Sequence, residues 1–224
     1  MFKTIKTGVL ALMLVGATNY AQAQKKINEG TATYTVAYSL TPEMAQMESM
    51  LPKESKVKFK NGLAKSQMEQ GPALITVMVD KGTETGLLLL DVPIMQWQYA
   101  VKMTKSDLDD TKKDAPVFSE FVATGEKKTI ATYNAEKYTH KDDKGGTYEL
   151  WVTQDIELPG GMKESEFSSV KGTPVVFTSF RNGVKSVLTL KNIKEEPVGE
   201  ISLTVPKGYQ LKTMEDLKAL QGGR

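Results

Sequence analysis

One histidine, no cysteine and 27 carboxylates are what this 224-residue chain offers to acid–base, nucleophilic or metal chemistry. Imidazole catalysis would have to use His140. It falls mid-strand between Thr139 and Lys141, with Tyr138 two positions back, a setting that predicts a surface strand residue rather than a base or a ligand. A zinc site needs three or four nitrogen or sulfur ligands, which one His without Cys cannot supply. Asp107, Asp109 and Asp110 are spaced a little like a calcium loop, but the glycine turn and closing glutamate are missing, so solvated charge is expected. Asp142-Asp143 precedes a glycine turn, where aspartate is ordinary. No Gly-x-Ser-x-Gly elbow and no Gly-x-x-x-x-Gly-Lys loop occurs. Among so many acids, no carboxylate pair stands out for glycoside hydrolysis. The expectation is no enzyme, no metal and no cofactor.

What remains is apolar. Met44, Met47, Met50 and Leu51 recur at i, i+3, i+6 and i+7, one face of a helix. Methionine is flexible and polarizable, so such a stripe can mould to different partners. Tyr34, Tyr38, Phe59, Trp97 and Tyr99 lie on strands nearby in sequence. A Met-faced helix over a curved sheet could enclose a lipid-sized cavity. The competing reading is that these side chains pack on each other and leave no space.

The elements that would position them are mostly strands. From Thr31 to Leu40, Ala32, Tyr34, Val36, Tyr38 and Leu40 alternate with polar residues, the period of a sheet with one wet side. Val57 and Phe59 lead into Asn61-Gly62, a tight-hairpin dipeptide. Further strands are predicted at Ala73–Val79, Gly86–Asp91, Ile94–Met103, Phe121–Thr124, Lys127–Ala131, Glu136–Lys141, Thr147–Thr153, Val175–Phe180, Val184–Leu190 and Ile201–Val205. Ala73–Val79 and Leu87–Leu90 are apolar on both faces. They call either for cover on each side or for a cavity wall. Thr41-Pro42-Glu43 reads as a helix start and Pro52 as its end. Thr213 with Asp216 opens a short terminal helix as an incomplete capping box. Glu164–Val170 reads as a turn or two of helix, and Lys105–Asp114 as a charged loop or short helix.

The first 23 residues read as a secretory signal: Lys3 and Lys6, the apolar run from Val9 to Ala17, then Ala21-Gln22-Ala23 as a cleavage site. The chain would then act outside the cytoplasm from Gln24 on, as one domain over 24–224. Without Cys it has no site for a lipid anchor. No later apolar run is long enough to span a bilayer. Lys3 and Lys6 account for the net charge of +2, so the remainder is balanced, and nothing steers it toward nucleic acid.

Gly30-Thr-Ala-Thr-Tyr34, then Lys128-Thr-Ile-Ala-Thr-Tyr133-Asn-Ala-Glu-Lys-Tyr138, Tyr148-Glu-Leu-Trp151-Val-Thr153-Gln-Asp-Ile156 and Val205-Pro-Lys-Gly-Tyr209 together resemble an uncharacterised exported family of Gram-negative bacteria. That family is itself similar to the outer-membrane lipoprotein carrier (LolA/LppX-like) group. Where the family has Gly before the tyrosine, this chain has Thr132. The resemblance implies a mainly β (α+β) fold: a curved antiparallel sheet, incompletely closed into a half-barrel, with helices on its concave face. It also implies a periplasmic carrier of a lipid or acyl chain that does no catalysis. The alternative expectation is a structural or protein-interaction module of the cell envelope, its strand edges meeting a partner.

Overall fold

The computed structural model describes residues 24–159, 162, 165–181 and 183–222. The expected signal segment, Glu164, and the side chains of Met47 and Met50 lie outside the described residues. The chain is mainly β. Strands β1 (Lys25–Lys26), β2 (Glu29–Ser39), β3 (Glu54–Lys60), β4 (Leu63–Gln70), β5 (Ala73–Asp80), β6 (Thr85–Val92) and β7 (Trp97–Met103) come first. Helix α1 (Lys105–Asp110) follows. Then come β8 (Phe118–Ile130), β9 (Tyr133–Asp142), β10 (Thr147–Thr153), β11 (Ile156–Glu157), β12 (Thr173–Arg181), β13 (Val184–Lys194), β14 (Gln210–Lys212) and helix α2 (Met214–Gly222).

Twelve strands form one open sheet in the order β14-β7-β6-β5-β4-β3-β2-β13-β12-β10-β9-β8. All neighbours are antiparallel except β14, which runs parallel to β7. β1 and β11 make a separate two-residue pairing. Local chemistry sets the hairpins. Asn61 and Gly62 both take positive φ, 50° and 90°, the twist a two-residue turn needs. The Asp142 carboxylate accepts from the Lys144 and Gly146 amides and closes the β9–β10 turn. A Cβ on Gly30 would stand 2.3 Å from the Lys194 carbonyl oxygen, so only glycine lets β2 and β13 meet there.

Register assigns the faces. Ala32, Val57, Ser66, Val77, Leu88 and Val101 pair in succession from β2 to β7, so they share one face, and Tyr34 and Phe59 share it by alternation. We call it the aromatic face. Thr31, Thr33, Lys56, Lys58, Met78, Leu87, Leu89 and Ala100 lie on the other.

Each end of the sheet is covered differently. Around β2, β10, β12 and β13 the main core gathers Tyr34, Phe59, Leu150, Val175, Phe177 and Leu190, with Phe167 and Val170 supplied by the β11–β12 connection. Around β5, β6 and β7 both faces are covered. Leu108 of α1 and Met214 and Leu217 of α2 pack with Val101, Met103 and Val77 on the aromatic face. Ile201, Leu203, Val205 and Tyr209 pack on Met78, Leu87, Leu89 and Ala100 on the other. The doubly apolar strands thus carry cover on both sides, complete over Leu87 and Ala100 and partial over Ile75 and Leu90.

Four expectations need correction. Ile201–Val205 is not a strand: its alternation marks an extended strap with one side buried and no ladder partner. Met44–Leu51 is not an α-helix; Ala45–Met50 is a 3-10 helix without a side-chain cap. The Thr41 hydroxyl that would cap it binds the Glu43 carboxyl instead and holds it below the usual carboxylate range. Phe121–Thr124 and Lys127–Ile130 are parts of the single strand β8, with Gly125 (φ 77°) inside a bulged stretch, and Ala131 (φ 54°) belongs to the turn that follows. β7 begins at Trp97, because Pro93–Met95 is a 3-10 turn ending on Gln96 at φ 54°.

Candidate functional site

On the aromatic face, the two packed ends leave a band between them. Met68 on β4 pairs with Ile75 on β5, Ile75 with Leu90 on β6, and Leu90 with Tyr99 on β7. Met68 is 42% exposed, and Ile75, Leu90 and Tyr99 are each only partly buried. Val57, Val77 and Leu88, one row along, are partly buried too. The band is apolar because β5 and β6 carry branched aliphatics on both faces. Leu90 and Tyr99 pack against the cluster of Val101, Met103 and Leu217, and the row opens toward Met68, beyond the short helices α1 and α2.

Two Thr-x-x-Asp boxes hold these helices. The Thr104 amide donates to Asp107 Oδ2 at 2.8 Å, and the Asp107 amide donates back to Thr104 Oγ1 at 3.3 Å. The Thr213 amide donates to Asp216 Oδ2 at 2.8 Å, and the Asp216 amide to Thr213 Oγ1 at 3.0 Å. The bonds from Thr104 and Thr213 hold Asp107 and Asp216 below the ordinary carboxylate range. The terminal box is complete, with Asp doing the work of Glu.

The residues expected to line a site fall in three places. Tyr34 and Phe59 are buried, at 4% and 0% exposure, and Tyr34 meets Phe177 edge-on at 5.8 Å. They are walls of the packed core. Trp97 and Tyr99 stack at 5.6 Å between ring centres on β7, at the far side of the band. Tyr38 donates its hydroxyl to the Pro52 carbonyl at 3.0 Å and so fastens the end of the Met-rich connection to β2. Met44 and Leu51 in that connection are partly buried. The aromatic face therefore carries Tyr34, Tyr38, Phe59, Trp97 and Tyr99 together, but β4, β5 and β6 separate the last two from the rest. Met68, Ile75 and Leu90 were not singled out. The double-faced apolarity of β5 and β6 was their signal; β4 reads as polar and gave none for Met68.

His140 is the largest surprise. It is 1% exposed, not on the surface. Its ring lies 4.7 Å from Phe118, 4.8 Å from Phe121 and 5.6 Å from Tyr148. Neither ring nitrogen has a hydrogen-bond partner. Burial pushes its pKa down to about 4, opposed only by the Asp142 charge, so the ring is neutral at neutral pH. Asp142 accepts from the Tyr148 hydroxyl at 2.7 Å. Burial, with this bond, pushes Tyr148 up to about 12. An apolar-packed neutral imidazole without an orienting partner is poorly placed for general-base work. Among the described residues, no three His, Asp or Glu side chains group closely enough to hold a metal ion.

Among the described residues, two open surface depressions stand out. One, of about 280 Å³, lies at the β6–β7 turn between Asp91, Pro93, Gln96, Trp97 and Gln98, next to the end of the band. The other, of about 330 Å³, lies on the opposite face and is lined by lysines, threonines and glutamates. No family model matches the chain, and no curated protein does. Among the described residues, no helix is long and apolar enough to cross a membrane.

Proposed function

We propose that this is a non-catalytic, exported, periplasmic binding protein, a carrier for a lipid or other apolar ligand. In this reading the sheet is bent into an incompletely closed half-barrel with α1 and α2 on its concave side, as in the lipoprotein-carrier group it resembles. One observation carries the proposal: the row Met68–Ile75–Leu90–Tyr99 is apolar and continuous across four strands, and it runs out from the α1–α2 cluster, against which Leu90 and Tyr99 pack, to Met68 at 42% exposure. An acyl chain along that row would gain about 0.8 kcal/mol for each CH₂ removed from water. The ligand-facing set is then Met68, Ile75, Leu90, Tyr99 and Trp97.

The edge-pairing alternative has less support. β8 is bulged twice, carries Glu120, Glu126, Lys127 and Lys128, and would template a partner strand poorly. β14, at the other edge, offers three residues.

Uptake of a fluorescent fatty acid tests the proposal. Met68→Asp places a charge on the exposed part of the row, and uptake is expected to fall about tenfold, ~1.4 kcal/mol, with an unchanged circular dichroism spectrum. Uptake equal to that of the parent protein would sink the acyl-chain reading.

A further inference from the structure

The face opposite the band carries a site of different chemistry. The cleft of about 330 Å³ has β2 as its floor, with Thr31 and Thr33 at 8% and 7% exposure. Glu54, Lys56 and Lys58 of β3 form one wall, and Lys191, Asn192 and Lys194 of β13 the other. Four ammonium groups there meet two carboxylates, Glu54 and Glu196. Those two are engaged: Lys191 Nζ pairs with Glu54 Oε1 at 2.5 Å, and the Thr31 hydroxyl donates to Glu196 Oε1 at 2.8 Å. Lys58 and Lys194 have no carboxylate partner among the described residues. Lys58 instead stands directly across from Lys65, a like-charge pair that costs stability in a sheet.

A backbone device builds the β13 wall. Leu190 pairs with Tyr34, yet Asn192, not Lys191, pairs with Thr33. The extra residue of this bulge turns Asn192 to the cleft face, which regular alternation would have assigned to Lys191. Asn192 Oδ1 is buried and has no hydrogen-bond partner. A buried acceptor left unmade is expensive, on the order of 1–3 kcal/mol.

We propose that the cleft binds a phosphorylated sugar or a similar hydroxylated anion. The lysines hold the phosphate, a task to which Lys is suited as a point charge. On binding, the Asn192 side chain turns its shielded Oδ1 into the cleft, where it accepts from a ligand hydroxyl and the unmade acceptor is satisfied; Thr33 stands across from it in register. The site does not depend on the acyl-chain reading, because the two faces point apart.

Isothermal titration at fixed ionic strength with glucose 6-phosphate, inorganic phosphate and glucose tests this. Glucose 6-phosphate is expected to bind saturably, inorganic phosphate more weakly and glucose not at all. Lys58→Gln with Lys194→Gln should weaken glucose 6-phosphate by about tenfold or more. Asn192→Leu should remove its advantage over inorganic phosphate, and Met68→Asp should leave it unchanged. The lysines are on the surface, so a thermal melt of the double variant is expected to match the parent. No saturable heat, equal binding of phosphate and glucose 6-phosphate, or undiminished binding by the double variant would each overturn the proposal.

Discussion

The two ends of the sheet solve burial in opposite ways. Around β2, β10, β12 and β13, large aromatic side chains fill the space over one face, and Phe167 arrives from a loop to close it. Around β5, β6 and β7 the side chains are aliphatic, and separate pieces of chain, two short helices and a strap, cover the two faces. Rings packed edge to face leave little to remove or insert. Aliphatic strands under short covers leave a margin, and that margin is the band. In the proposed reading, a binding surface comes from incomplete cover over a greasy sheet.

Substitutions can break this contrast. Phe59→Ala, at the fully buried end, is expected to cost about 3–5 kcal/mol in urea unfolding, because it leaves a cavity in a closely packed core. A cost near that of a surface change would show that end to be loose. The pH profile should report the same packing. With His140 at about 4 in the folded state and near 6.5 unfolded, the unfolded chain binds the proton first on acidification. Stability is therefore full above about pH 6.5 and declines toward pH 4 by roughly 3 kcal/mol. His140→Phe should flatten that decline; an unchanged slope would place its origin elsewhere.

The covered end should respond more mildly. Thr213→Ala removes one half of the α2 box and should cost about 1 kcal/mol. Hydrogen exchange should rise in α2 and along the β7 residues beneath it, with the aromatic end unchanged. Met68→Ser, on the open row, should change stability by about 0.5 kcal/mol or less. A loss comparable to Phe59→Ala would mean the band is core after all.

Much of the sheet was legible. The alternation from Thr31, the Asn61-Gly62 turn and the β9–β10 and β12–β13 pairs follow from side-chain period and turn chemistry. What failed did so for physical reasons. Ile201, Leu203 and Val205 alternate because one side of the strap is buried, and burial says nothing about whether the backbone pairs. β14 is too short to show a period. His140 sits between Thr139 and Lys141, whose side chains point the other way, so its neighbours in sequence hid the aromatic rings around it. The strand-borne aromatic residues were visible one by one; that Trp97 and Tyr99 sit several strands from Phe59 is a matter of sheet order, which no local pattern encodes. The open row was half visible, since β5 and β6 declared two apolar faces without saying which would be left uncovered.

The strap has a consequence for biosynthesis. Leu87 and Leu89 leave the ribosome on the order of a hundred residues before Ile201 and Tyr209, which shield them. Throughout that interval the strap-side face of β5 and β6 lacks the cover its own chain will supply. A truncation before the strap should send the product to aggregates or proteases rather than to a smaller folded form.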